Sequence, residues 1–577
     1  MVGWRRCARL VVALAALLGA LAGCGLPGQA QPGDLASDQT LKIVLPLDGG
    51  GENPLANLDP VEGLYPPYLQ ASSLLFDGLL TLNRSGHVEP WGAASWTVSP
   101  DGTRYTFTLR PNQRFSDGAP VKASDYAWSI DRIANPCLGL FNYDSSVFTD
   151  YSFLALVKDA PAFHDEACAR GQPTGAITSL IGDALLPNDS AGTLTFILVR
   201  PAGYFLTALA TSWGDVVERS VITGLDLGGD GAWTKRLDAG KTGQGGSGMF
   251  YLADAEIGAA PTGSKLILKP NPHWWGIAAG KRPHFSEVDI LAGNIDTFLG
   301  DTSIGYGDVL NPGRLASALS QIKRAPYYHE TPSFSMAVLH FNWKKAPFDD
   351  LNARKAFCLA ANREYLNQQV YHGNFIPGWR LIPQGVPGFN AAVAGIDDTL
   401  PGGDVALAQR YWQKYLAAHG GRAPALTLYA PYPHSDYGQL MSPLMPQVRD
   451  LWQQTLGVAI SLAASPSSAN VTLIEASSDY PDPREFMGQA GAPDGQPVSV
   501  PGVDALLRQA DTVSTMDQRL PLYPQAEQLL VDNVAVCPLF QLVNSYAMRV
   551  RLRAFTEDAR GLIPNDAWVR GYIARGQ

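Results

Sequence analysis

AASWTVSPDGTRYTFTLRPNQRFSDGAPVKASDYAWSIDR, residues Ala93 to Arg132, is written turn by turn. Ser99-Pro100-Asp101-Gly102 is a turn, and it feeds a strand in which Tyr105, Phe107 and Leu109 alternate with Thr106, Thr108 and Arg110. Period-two alternation beside a Pro-Asp-Gly turn predicts a half-buried hairpin strand. A second turn, Ser116-Asp117-Gly118, closes the unit, and a helix follows with Ser124 as N-cap, Asp125 in its first turn and Ala127, Ile130 and Ile133 on one face.

Around this stretch the chain runs to 577 residues, too long for one core and long enough for two or three domains. Its 58 glycines and 43 prolines predict many turns and exclude a plain helical bundle. A net charge of −10 argues against nucleic acid as a partner, because phosphates call for a basic surface.

The N-terminus reads as a targeting segment. Arg5, Arg6 and Arg9 form a positive region, and Leu10 to Ala22 is an apolar run of 13 residues. That is shorter than the about 20 residues a membrane-spanning helix needs. It ends in Leu21-Ala22-Gly23-Cys24, which resembles the bacterial lipobox, where the cysteine is lipidated and becomes the mature N-terminus. The expectation is a signal peptide over 1–23, lipidation at Cys24 and a flexible tether over 24–40. Removing the leader leaves 40 basic against 53 acidic residues, a charge of −13.

Four cysteines then remain, an even number that fits two disulfides outside the cytoplasm. Three pairings are open. Proximity in the chain favours Cys137–Cys168, which leaves Cys358–Cys537. No paired Cys/His spacing suggests zinc, and neither a metal nor a cofactor is expected.

Further on, Leu41 to Leu47, Thr193 to Val199 and Ser264 to Lys269 read as strands, whereas 135–190 is irregular. After about residue 330 the pattern becomes α/β. Ser335 to Asn342 is an apolar strand, and Asp349 or Asp350 caps a helix with Ala353, Ala356, Phe357 and Ala360 on one face. Asn362 restarts a helix. Val405–Ala418 and Leu444–Leu456 are helices stopped by glycines, Val471–Ala476 is a strand, and Val503–Thr512 and Leu520–Val531 are helices.

A search for catalytic groups finds none. There is no G-x-S-x-G elbow and no H-E-x-x-H pair. Gly240-Lys241-Thr242 lacks the glycine of a phosphate loop, because Lys235 stands at that position. The chain is therefore not read as an enzyme.

The opening stretch closely resembles the signature of the family 5 extracellular solute-binding proteins, the oligopeptide- and dipeptide-binding receptors of ABC importers. It matches W-x-x-S-x-D-G-x-x-Y-x-F-x-L-R, then F-x-D-G and A-x-D, at each fixed position. Asn57-Leu58-Asp59-Pro60, SGMFYL at 247–252, NPHWWG at 271–276, His340 to Glu364, and Ser478-Asp479-Tyr480-Pro481-Asp482-Pro483 resemble further family elements in the family's order.

The resemblance implies an α/β, two-lobed periplasmic-binding-protein-like fold (type II, cluster C) with a strand-rich subdomain inserted in lobe I. The expected division is 41–75 lobe I, 76–210 the insertion, 211–330 lobe I again, 331–540 lobe II and 541–577 a return to lobe I. Hinge crossings are expected near Tyr327–Phe334 and Cys537–Asn544.

It also implies a lipid-anchored, monomeric receptor on the outer face of the cytoplasmic membrane, capturing peptides and serving an ABC permease and its ATPases. In peptide-binding relatives the Asp of the D-Y turn pairs with the ligand's α-ammonium group, and the matching residue is Asp479. Ser477, Ser478 and Tyr480 flank it, and Glu52 and Asn53 near the Leu-Asp-Pro element are second candidates. Trp379 and Tyr432 are candidate cleft aromatics. Leu473, Glu475 and Ala476 depart from the residues common in peptide-binding relatives, which leaves a non-peptide ligand (a nickel complex, a sugar or a signalling molecule) as the alternative.

Overall fold

The computed structural model describes residues 34–46, 55, 58–61, 66–137, 153–169, 172–222, 245–258, 263–308, 322–429, 440–489, 499–513 and 515–575. Cys24, Glu52, Asn53 and Tyr432 lie outside them.

The opening stretch folds as the alternation predicts. Ala93–Val98 and Arg104–Leu109 pair antiparallel with Val98 opposite Tyr105, and Thr193–Ile197 adds to the other edge. Tyr105, Phe107 and Leu109 are buried. The helix runs from Ala123 to Ala134, but its N-cap is Lys122, not Ser124. The Asp125 carboxylate takes the Lys122 N–H at 2.8 Å, while the Ser124 N–H and hydroxyl both donate to Asp189. That distant carboxylate, 65 residues away, is why the local pattern misplaces the cap by two residues.

Among the described residues eleven strands form one mixed sheet, ten along a single path and the short strand Ile376–Pro377 paired to the side with Gln541 and Phe540. Its first part has the order Phe250–Glu256, Lys265–Pro270, Glu287–Gly293, Thr40–Pro46, Ile304–Asp308. Two long strands follow, Cys537–Met548 and then Tyr328–Phe341. The last part is Val471–Ala476, Leu426–Tyr429 and Ile460–Leu462. Ile43 to Leu45 are buried, Ile43 and Leu45 in one apolar cluster and Val44 in another, as a parallel strand covered on both faces requires.

The two long strands tie the halves together. At one end Tyr546–Met548 pairs with Tyr306–Asp308. At the other, Met336–Phe341 pairs with Val471–Ala476. Their mutual register shifts between Pro332 and Met336, where a proline has no N–H to give the ladder.

Apolar side chains gather on either side of that crossing. One cluster draws on residues 41–306 together with 546–568, and two others on 334–540. A further cluster is built from 61–216 and takes a single residue, Tyr480, from the later half. Helix Leu444–Leu456 packs on the strands Leu426–Tyr429 and Ile460–Leu462, Val405–Ala418 packs on it and on helix Leu351–Ala360, and Asp350 and Asn362 cap their helices with their side chains.

Both expected disulfides are formed, Cys137–Cys168 and Cys358–Cys537, with Cα separations of 5.3 and 5.7 Å. Arg363, wholly buried, donates to both sulfurs of the second and to the Pro538 carbonyl at 2.7 Å. Its guanidinium also lies 3.7 Å from the centre of the Trp379 ring. Trp379 is therefore a core residue and not a cleft aromatic. Among the described residues no helix is long and apolar enough to cross a membrane, and no group of three or more His, Cys, Asp or Glu could hold a metal ion.

Candidate functional site

Asp479 lines a cleft whose empty volume, open mouth included, is about 810 Å³. The facing wall comes from three segments far apart in sequence: Phe76 to Thr81, Ala210 to Asp215, and Arg560 to Asn565. Asp479 reaches it from the other half of the molecule, three residues past the Val471–Ala476 strand.

The turn that carries Asp479 is fastened from beneath. Glu485, 2% exposed, accepts the Ser478 hydroxyl at 2.7 Å and the Asp479 N–H at 3.2 Å. Burial, reinforced by the nearby Asp479 charge, holds the Glu485 carboxyl well above the ordinary range. Asp482, fully buried, accepts from Arg519 at 2.6 Å and from the Tyr523 hydroxyl at 3.2 Å. The two acids thus fix both ends of the turn, while Asp479 itself stays exposed.

The neighbours of Asp479 serve different ends. Ser477 is exposed. Ser478 turns inward to Glu485. Tyr480 is 2% exposed and stacks on Tyr204, with ring centres 6.3 Å apart and planes 3° from parallel. It belongs to the contact between the two halves and not to the cleft surface. That contact includes Arg200 to Asp511 at 3.0 Å, the Arg484 guanidinium 5.8 Å from the centre of the Tyr204 ring, and the Gly203 N–H to the Asp511 carbonyl at 3.1 Å. Gly86 presses on Pro481 and Pro387, where a Cβ would come within 2.9 Å of Pro481.

Behind the Phe76–Thr81 wall sits a buried acid. Asp77, 2% exposed, accepts indole N–H bonds from Trp91 at 2.7 Å and from Trp274 and Trp275 at 2.9 Å each. Burial raises its pKa to about 7 even though the three indoles and the Arg110 charge favour the ionised form. Arg110, the last residue of the F-T-L-R motif, lies 4.3 Å over Trp275 and donates to the Trp91 carbonyl. The signature hairpin therefore meets the Trp274-Trp275 motif and supports one cleft wall without touching the cavity.

Two cleft groups escaped the sequence reading. Arg560 stands on the wall and is held by the Asp558 carboxylate, its Nε 2.9 Å from Oδ2. Asp215 lines the cavity at 8% exposure. Neither sits in a motif, since only the tertiary fold brings 215 and 560 to the same wall. Glu485 did leave a signal: Asp482-Pro483-Arg484-Glu485 has the spacing of a capping box, although its glutamate turns to Ser478 and Asp479 instead.

The chain matches the profile of the bacterial extracellular solute-binding proteins, family 5 Middle, over residues 87–497. The periplasmic murein peptide-binding protein MppA of Escherichia coli is 25% identical over 526 residues, covering 87% of this chain and 88% of MppA. The unliganded open form of MppA, a periplasmic murein tripeptide binding protein, superposes with a TM-score of 0.71 at 22% identity, over 95% of this chain and 99% of MppA. Haemophilus influenzae OppA in complex with RPPGFSPFR superposes with a TM-score of 0.64 at 19% identity, over 94% and 100%. The architecture expected from the opening stretch is the one these structures share. The chain belongs to the bacterial extracellular solute-binding proteins of family 5.

Proposed function

We propose that this protein is the peptide-capturing subunit of an ABC importer, enclosing a peptide between its halves and delivering it to a membrane permease. The observation that carries the reading is Asp479, an exposed carboxylate on a rigidly fastened turn at the edge of a cleft formed by both halves. A peptide's α-ammonium is the natural partner for such a group.

The strand before Asp479 fits the rest of the ligand. Val471 and Thr472 pair with Leu428 and Tyr429, but Leu473 to Ala476 have no strand on that edge among the described residues. A peptide laid there as an added strand would bind through main-chain hydrogen bonds, with little regard for its side chains. A receptor needs no catalytic group; ligand contacts with both halves would favour the closed form.

Lobe I (41–75, 211–330 and 541–577), the insertion (76–210) and lobe II (331–540) are the moving parts in this proposal. The register shift between Pro332 and Met336, inside the two long connecting strands, supports a hinge there. A monomer held by lipid at Cys24 to the outer face of the cytoplasmic membrane completes the reading.

Calorimetric titration with Ala-Ala-Ala and its N-acetyl form tests it. Asp479→Asn should weaken binding of the free-amine peptide by about 2–5 kcal/mol, the range for one partner removed from an enclosed charge pair. The N-acetyl peptide should bind weakly to both proteins. Equal affinity of wild type and variant for Ala-Ala-Ala would end the amine-anchor assignment.

A further inference from the structure

Asp215 is the cleft group that the amine anchor leaves unexplained. It is 8% exposed and lines the cavity beside Trp213, Phe76 and Leu80. One carboxylate oxygen lies 2.8 Å from where a Cβ on Gly78 would stand, so the glycine leaves the carboxyl its place without a shift. The Asp215 side chain makes no hydrogen bond or ion pair with any described residue. Buried polar groups are almost always satisfied, and a buried carboxyl without a partner is costly.

The surroundings define what would satisfy it. Burial and the charge of Asp77 both push the Asp215 carboxyl well above its ordinary range. Asp77 is engaged by three indoles, and Tyr126, also nearby, is buried and neutral. Arg560, a cation on the same wall, is neutralised by Asp558. Asp479 adds a second negative group at the cleft. The described protein supplies acids here and no uncommitted cation, while Phe76, Leu80 and Trp213 offer an apolar surface to an alkyl stem.

We propose that Asp215 is a second cation-recognising group of the cleft, and that the preferred ligands are peptides carrying a basic side chain in addition to their terminal ammonium. The inference rests on the peptide reading. Asp479 takes the amine, and the methylene stem of a lysine-like side chain packs along Phe76 and Trp213 so that its ammonium reaches Asp215.

The test is calorimetry with four probes, Ala-Ala-Ala, Lys-Ala-Ala, Ala-Lys-Ala and Ala-Ala-Lys, on wild type and Asp215→Asn. Wild type should bind the best lysine peptide at least about tenfold more tightly than Ala-Ala-Ala, and the variant should lose that preference while keeping its Ala-Ala-Ala affinity within about threefold. The thermal midpoint of the ligand-free variant should be equal to or above that of wild type, because an unpaired buried carboxylate stabilises nothing in the empty protein. Ala-Ala-Ala binding with no lysine preference, or a preference that survives in the variant, overturns the inference and leaves the peptide reading standing. A clear drop in the variant's midpoint also overturns it, by making Asp215 structural. Failure of all four peptides to bind wild type overturns the peptide reading itself.

Discussion

Replacing Asp482 with alanine removes the acid from a fully buried ion pair beneath the Asp479 turn. The two side chains are 0% and 1% exposed, and Arg519 Nη2 lies 2.6 Å from the lost oxygen. Arg519 would keep one described partner, the Tyr523 hydroxyl at 3.2 Å, which is neutral and cannot offset a buried charge. Stripping one partner from a buried pair costs about 3–5 kcal/mol, whereas removing both charges in favour of apolar groups is often near neutral. Asp482→Ala should therefore destabilise the later half by about 3–5 kcal/mol, and Asp482→Ala with Arg519→Met should recover most of the loss. Urea unfolding followed by tryptophan fluorescence reads it, since Trp412 and Trp452 are buried in that half. Asp482 also takes the Arg484 N–H at 3.0 Å, at the start of the helix that bears Glu485. The single variant should accordingly bind Ala-Ala-Ala more weakly as well. A cost below about 1 kcal/mol, as for a solvated pair, or a double variant no more stable than the single one, would refute the reasoning.

Asp77 predicts a pH dependence. Its pKa rises from 3.8 to about 7 on folding, so the acid is neutral in both states below about pH 3.8 and costs nothing there. As pH climbs towards 7 the unfolded state ionises first, and stability is lost at about 1.4 kcal/mol per unit, or about 4 kcal/mol across the window. The stability of wild type relative to Asp77→Asn should fall between about pH 4 and pH 7.5, measured by denaturation at each pH; a flat difference would mean that the three indoles hold the carboxylate ionised throughout. Gly203→Ala probes the contact between the halves. Its Cβ would stand 2.3 Å from the Val513 carbonyl oxygen and 2.4 Å from Arg519 Cδ, so the variant should favour an open form. Small-angle scattering should show a larger radius of gyration and calorimetry about tenfold weaker peptide binding, about 1.4 kcal/mol; unchanged scattering and affinity would contradict it.

The fold was legible where local physics decides it. Helices Val405–Ala418 and Leu444–Leu456 have the bounds their periodicity and glycine stops predict, because an apolar face and a left-handed stop are written within one segment, and Val471–Ala476 has the bounds its apolar run predicts. Edges shift where a distant partner intervenes, as when Asp189 takes Ser124 away from the cap. The strand read from Ser335 begins seven residues earlier, at Tyr328, because its first residues are largely polar and are ordered by pairing with Ala547 to Val543. Asp479 was found through a motif, yet the face opposite it was not. Asp215 and Arg560 have no local pattern; they matter because separate segments converge, and Tyr480, placed at the ligand by its position in the motif, packs on Tyr204 instead.

The most direct test is mass spectrometry of the small molecules released on denaturing protein purified without added ligand. The account predicts short peptides with free amino termini, enriched in lysine or arginine. Recovery of a sugar or a nickel complex, with no peptide, would contradict it.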